Sequence, residues 1–115
     1  MNRLSNFLIK EFTEESSKKS IKFFRSYGAH GYIIWLTIIS HFFDKKKLSI
    51  ENIIEIASVY ASRRTIIDFI NKGNKEGFLK KEVSEDDKRK VLITPTYITL
   101  DEYNDWAEYF ISNIK

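Results

Sequence analysis

Residues 48–94 read LSIENIIEIASVYASRRTIIDFINKGNKEGFLKKEVSEDDKRKVLIT, and this stretch decides the fold. Ser49 is a favoured helix N-cap, because its hydroxyl can accept from an orphan backbone N–H, and Glu51 suits the positive end of the first turn. Ile50, Ile53, Ile54 and Ala57 then form one apolar stripe at helical spacing. Ser58 to Ala61 make a turn. Ser62 opens a second helix, Arg63 to about Glu76, with Ile66, Phe69 and Ile70 three and four apart. Gly77 stands where a left-handed C-terminal residue belongs. Beyond it the rhythm changes. Phe78 to Val83 alternates loosely, Glu85 to Lys88 is turn material, and Lys90 to Thr94 is rich in strand formers, so a hairpin is expected that Pro95 stops.

Helix, short turn, helix and hairpin is the order of a winged helix-turn-helix. A recognition helix enters the major groove with its first residues toward the base edges. Ser62, Arg63, Arg64 and Thr65 have the chemistry for that position: guanidinium groups for guanine, hydroxyls for phosphate or thymine edges. Lys72 adds a cation further along the helix. Lys80, Lys81, Lys88, Arg89 and Lys90 place five more on the hairpin. A wing of this kind can follow the backbone and insert a guanidinium into the adjacent minor groove.

Outward from this stretch, residues 3–26 carry helical apolar marks at Leu4, Phe7, Leu8, Phe12, Ile21 and Phe24, with a polar patch at 13–20 that breaks or bends the element. Residues 30–43 are the most apolar segment and are expected to be a core helix. Thr99 and Glu102 have the spacing of a capping box. They would start a last helix whose apolar side holds Leu100, Tyr103, Trp106, Phe110 and Ile114. The expected class is α+β, mostly α, with residues 1–115 as a single winged-helix domain flanked by helices at 3–26 and 100–114.

The chain is one domain long, and its 43% hydrophobic and 30% charged residues suit a soluble protein with a real core. Without cysteine there is no disulfide scaffold, thiolate metal site or thiol-based sensing. Residues 1–10 lack a signal-peptide core, and Tyr32 to Phe43 is too short to span a bilayer. Net charge is +3, but residues 96–115 carry one basic and four acidic side chains, so the positive excess lies in the body. That distribution suggests an anionic partner which the last helix does not touch.

Catalytic chemistry has no foothold in the sequence. His30 and His41 would lie roughly 16 Å apart along one helix, too far to share a metal, and no zinc motif or glycine-rich phosphate loop is present. Asp86 and Asp87 sit in a turn, which favours them for conformational reasons. The aromatic residues follow helical core spacing rather than a basic strand face, so core or subunit interface is their expected use. No enzyme activity, cofactor or metal is therefore expected.

These residues resemble the MarR family of winged-helix transcription regulators, including its small SarA-like members. The match runs through Leu48-Ser49-Ile50-Glu51-Asn52-Ile53 with Ala57, Ser62-Arg63-Arg64-Thr65-Ile66, Glu76-Gly77-Phe78-Leu79, and Asp87-Lys88-Arg89 followed by Val91-Leu92-Ile93-Thr94. It implies a homodimeric regulator of double-stranded DNA, sequence-specific, cytoplasmic and nucleoid-associated when bound. Helices 3–26 and 100–114 would pair the subunits, and Asp87 would orient the wing residue Arg89. A small-molecule effector between the dimerisation and DNA-binding parts is compatible with this, and no membrane partner is implied. Two departures stand out. Gly73 replaces an apolar residue and is expected to kink or shorten the recognition helix, at about 1 kcal/mol relative to Ala. Asp68 stands where a basic residue is common and would repel phosphate. With Asp86 and the modest net charge, it favours the alternative, a winged-helix protein-interaction module without DNA binding.

Overall fold

The computed structural model describes residues 2–13 and 18–114. Among these, six helices and one two-stranded antiparallel sheet follow the expected order: α1 Asn2–Thr13, α2 Lys19–Arg25, α3 Gly28–Phe43, α4 Ile50–Ala57, α5 Arg63–Glu76, β1 Leu79–Val83, β2 Val91–Pro95 and α6 Tyr97–Ile114. The expected interruption within 13–20 separates α1 from α2, and its middle, 14–17, lies outside the described residues.

Local chemistry fixes the ends of α4 and α5. Ser49 Oγ accepts from the Asn52 N–H, and Asn52 Oδ1 accepts from the Ser49 N–H, both at 3.1 Å, so the box is reciprocal. Ser62 Oγ accepts from the Thr65 N–H at 3.2 Å. Gly77, at φ +85°, closes α5 in the left-handed region, and the Phe78 N–H reaches back to the Gly73 carbonyl at 2.9 Å.

The sheet register pairs Leu79 with Pro95, Lys81 with Ile93 and Val83 with Val91. Pro95 thus ends β2 as its last residue, where a missing N–H costs least. A third element joins this sheet that the sequence did not suggest. Ser49 bridges Leu92, and the Ile93 N–H donates to the Leu48 carbonyl at 2.8 Å. β2 therefore lies between β1 and the start of the α4 segment, which ties the hairpin root to the helix-turn-helix.

Two expectations need correcting. Gly73 neither kinks nor shortens α5, which runs unbroken to Glu76. A Cβ there would stand 2.9 Å from Leu79 Cδ2 and 3.2 Å from Phe23 Cε2, so the residue is small because β1 and α2 press against it. Nor do Thr99 and Glu102 form a capping box, because α6 starts three residues earlier than expected, at Tyr97, and the Leu100 N–H donates to the Thr96 carbonyl. Thr99 is buried and donates from its hydroxyl to the Phe78 carbonyl at 2.6 Å. Glu102 instead accepts from the Ser20 N–H at 2.8 Å and from its hydroxyl at 2.5 Å, capping α2 from across the molecule. The pattern was present, but tertiary partners took both side chains.

The core gathers Ile21, Phe23 and Phe24 of α2, Ile34, Trp35, Ile38 and Ile39 of α3, and Ile53, Ile66, Phe69, Ile70, Leu79 and Ile93 of the helix-turn-helix and hairpin. Phe23 stacks on Phe69 with ring centroids 4.9 Å apart, so α2 braces α5 directly. On the other side Phe7 of α1 packs against Phe110 at 4.9 Å and Tyr109 at 5.4 Å. Glu11 accepts from Arg25 Nη1 at 3.1 Å and Trp106 Nε1 at 2.8 Å, linking α1, α2 and α6. Ile9, Tyr109, Ile111 and Ile114 on these terminal helices stay largely exposed. No helix among the described residues is long and apolar enough to cross a membrane.

Candidate nucleic-acid interface

Each residue of an α-helix turns 100° from the last. On α5 the buried residues Ile66, Phe69, Ile70 and Gly73 mark the inner side. Directly opposite runs an exposed row of Arg64, Asp68, Asn71 and Lys75. Arg63 lies toward α4 and Lys72 toward α2. The candidate cations of this helix therefore do not share one direction.

Their partners confirm the division. Both terminal nitrogens of Arg63 bond the Glu51 carboxylate, at 2.9 and 2.5 Å, a bidentate pair reaching back to α4. The guanidinium holds the Glu51 carboxyl below its ordinary range, chiefly through that hydrogen bond. Lys72 lies 5.5 Å from the centroid of the Tyr27 ring, and the hydrogen bond to that residue raises its pKa. Ser62 and Thr65 bond each other at 3.0 Å besides capping the helix. Arg64 has no polar side-chain partner among the described residues and stands exposed at the first turn.

On the hairpin, strand alternation separates the two neighbouring lysines. Lys81 turns toward α5 and donates from Nζ to Asn71 Oδ1 at 2.8 Å. Lys80 projects from the other face and pairs with Glu82 at 2.9 Å. At the tip, Asp87 Oδ1 accepts from Arg89 Nε at 3.2 Å and from the Arg89 N–H at 3.0 Å. These bonds lower the Asp87 pKa, and the Arg89 side chain remains 91% exposed. The Lys90 N–H donates to the Asp87 carbonyl at 2.9 Å, which shapes the turn. The side chains of Lys88 and Lys90 are exposed and make no side-chain hydrogen bond or close ion pair among the described residues.

The structure thus joins Lys81 through Asn71 to the outward row of α5 that Arg64 heads, while Lys88, Arg89 and Lys90 sit at the hairpin tip, whose Asp86 pairs with Lys47 at 2.6 Å. It sets Lys72 and Lys80 apart and draws Arg63 back. Sequence reasoning missed the pairing residues Glu51, Asn71 and Glu82. Glu82 was findable, since i and i+2 share a strand face. Glu51 lies twelve residues from Arg63 across the turn, without a local signal.

Elsewhere, His41 Nδ1 lies 3.0 Å from the Thr37 carbonyl, and His30 packs edge-on to Phe69 with its pKa lowered by burial. No group of three His, Asp or Glu residues able to hold a metal occurs among the described residues.

No protein-family model matches the chain, and no curated protein matches it in sequence. Solved structures do match. The heme sensor PefR of Streptococcus agalactiae, in complex with heme, superposes with a TM-score of 0.60 at 20% identity, over 98% of this chain and 69% of that one. A point mutant of S. aureus MepR gives 0.62 at 13% identity, over 93% and 77%. BpsR of Bordetella bronchiseptica, whose DNA binding is regulated by 6-hydroxynicotinic acid, gives 0.55 at 16%, over 96% and 77%. At such identities the likeness is one of architecture, and it extends over nearly the whole chain rather than the helix-turn-helix alone. The chain has the winged helix-turn-helix fold of the MarR-family regulators.

Proposed function

We propose that this chain is a transcription regulator that binds double-stranded DNA as a homodimer. The start of α5 enters the major groove, and the β1–β2 hairpin lies along the backbone with Arg89 at the adjacent minor groove. One observation carries the reading: Lys81 of the hairpin bonds Asn71 on the outward row of α5 that begins at Arg64, so the wing is tied to the side of the helix that faces away from the core. The architecture shared with BpsR and PcaV, the latter a transcriptional regulator, supports it. Within this reading residues 1–115 form a single winged-helix unit. The exposed apolar residues of α1 and α6 pair two copies, so that two α5 helices meet successive major grooves about 34–36 Å apart.

Affinity comes mainly from neutralising phosphates, which releases counterions. Fluorescence anisotropy with a labelled AT-rich duplex should therefore show binding that weakens about a thousandfold or more between roughly 50 and 200 mM salt. A second reading has its own support. Arg63, Lys80 and Arg89 each hold a carboxylate, and Asp68 stands exposed on the outward row, as suits a protein-interaction module. Absence of duplex binding at the lower salt would favour that module and overturn the regulator.

A further inference from the structure

Of the outward row on α5, Asn71 is occupied by Lys81, while Arg64, Asp68 and Lys75 have no polar side-chain partner among the described residues. Arg63, the neighbouring guanidinium, has both terminal nitrogens on Glu51. Since the first turns of a recognition helix lie deepest in the groove, the two unpaired groups that the outward row offers there are a cation and an anion one helical turn apart.

We propose that Arg64 and Asp68 form a mixed-charge reading pair that selects guanine at one position and cytosine about two base pairs away, with Glu51 holding Arg63 out of the contact. This deepens the duplex-binding reading above and rests on it. The spacing follows from the helix: four residues rise about 6 Å, close to two steps of about 3.4 Å along a strand.

The chemistry of a carboxylate fixes the second base. Asp68 can only accept hydrogen bonds. In the major groove guanine offers two acceptors, thymine an acceptor and a methyl group, and only cytosine N4 and adenine N6 donate. A carboxylate pressed against an acceptor loses its water and gains nothing, so Asp68 penalises guanine and thymine. Adenine sets its N7 acceptor beside its amino group, where the second carboxylate oxygen would meet a lone pair. Cytosine has no such acceptor and is the base that fits. The same charge repels phosphates. Asp68 therefore weakens binding to duplexes in general while sharpening the choice among them.

Because these two effects have opposite signs, one experiment separates them. The full chain and its Asp68→Ala and Asp68→Asn variants, all altered only at an exposed side chain, are put through selection from a randomised duplex at low salt. Anisotropy on the selected site and its single-pair variants follows. The parent should enrich guanine and cytosine two pairs apart, and discriminate roughly tenfold against thymine in place of the cytosine. Asp68→Ala should lose that discrimination, keep the guanine and bind random duplex severalfold more tightly. Asp68→Asn should move the preference from cytosine to adenine, whose N6 and N7 match an amide. Arg63→Ala should leave the selected sequence unchanged.

If both Asp68 variants bind more tightly with base preferences unaltered, Asp68 is only a repulsive charge and the inference is wrong. A change in the selected sequence on Arg63→Ala would equally contradict it. If neither parent nor variants bind any duplex, the regulator reading itself fails.

Discussion

Trp35→Ala should cost about 3 kcal/mol of folding stability, the lower part of the range for removing a buried aromatic ring. The indole is fully buried on α3, where Phe24, Tyr32, Tyr103 and Trp106 surround it with ring centroids 5.3 to 6.4 Å away. It therefore joins α2 and α3 to α6, and the cavity left by alanine would lie where these helices meet. The cost stays at the low end because Trp35 Nε1 is buried without a hydrogen-bond partner among the described residues, and its removal lifts an existing penalty. Against the roughly 5–15 kcal/mol of a typical domain this is a large fraction. Urea unfolding should show a lower midpoint at unchanged slope. A loss under about 1 kcal/mol would mean that the aromatic cluster is not the brace its geometry describes.

Arg64→Ala should lower affinity for the preferred duplex ten- to a hundredfold, as expected for a lost bidentate contact to guanine worth about 1–3 kcal/mol. The side chain is exposed and bonds no polar side chain among the described residues, so folding should be untouched. Arg63→Ala makes the internal control, since it removes the same group one position earlier on the same helix. Its guanidinium already belongs to Glu51, and only a small, salt-sensitive loss should appear. Titration of both variants against one duplex checks the contrast. Equal losses would show that the Glu51 pair opens on binding and that both arginines contact DNA.

The helix-turn-helix was legible because its instructions are local. Ser49, Ser62 and Gly77 mark helix ends by side-chain or backbone properties that act within four residues, and the apolar periods of α4 and α5 leave one way to bury them. Where the reading failed, a distant partner had decided the matter. Gly73 looked like a weak point in a helix, yet Leu79 and Phe23 leave no room for a larger residue. Thr99 and Glu102 had capping-box spacing, but Phe78 and Ser20 offered stronger partners from other elements. The short strand pairing of Leu48 and Ser49 with β2 has no periodic signal in so few residues.

The same limit governed the interface. Residue types named a set of candidate cations, but their directions depend on helical phase and strand face. Arg63 and Arg64 are adjacent in sequence and a quarter-turn apart in space. Lys80 and Lys81 are adjacent and on opposite faces. Asp68, read from sequence as an obstacle to phosphate, lies on the exposed row of α5 opposite its buried side.

In the proposed complex the outward row of α5 and the hairpin tip make one surface for a duplex. Amide chemical shifts of the labelled protein, followed while a short duplex is titrated in at low salt, test it directly. The largest changes should fall on residues 62–75 and 84–90, with α1 and the later turns of α6 unaffected. Changes confined to α1 and α6, or absent from both predicted segments, would contradict it.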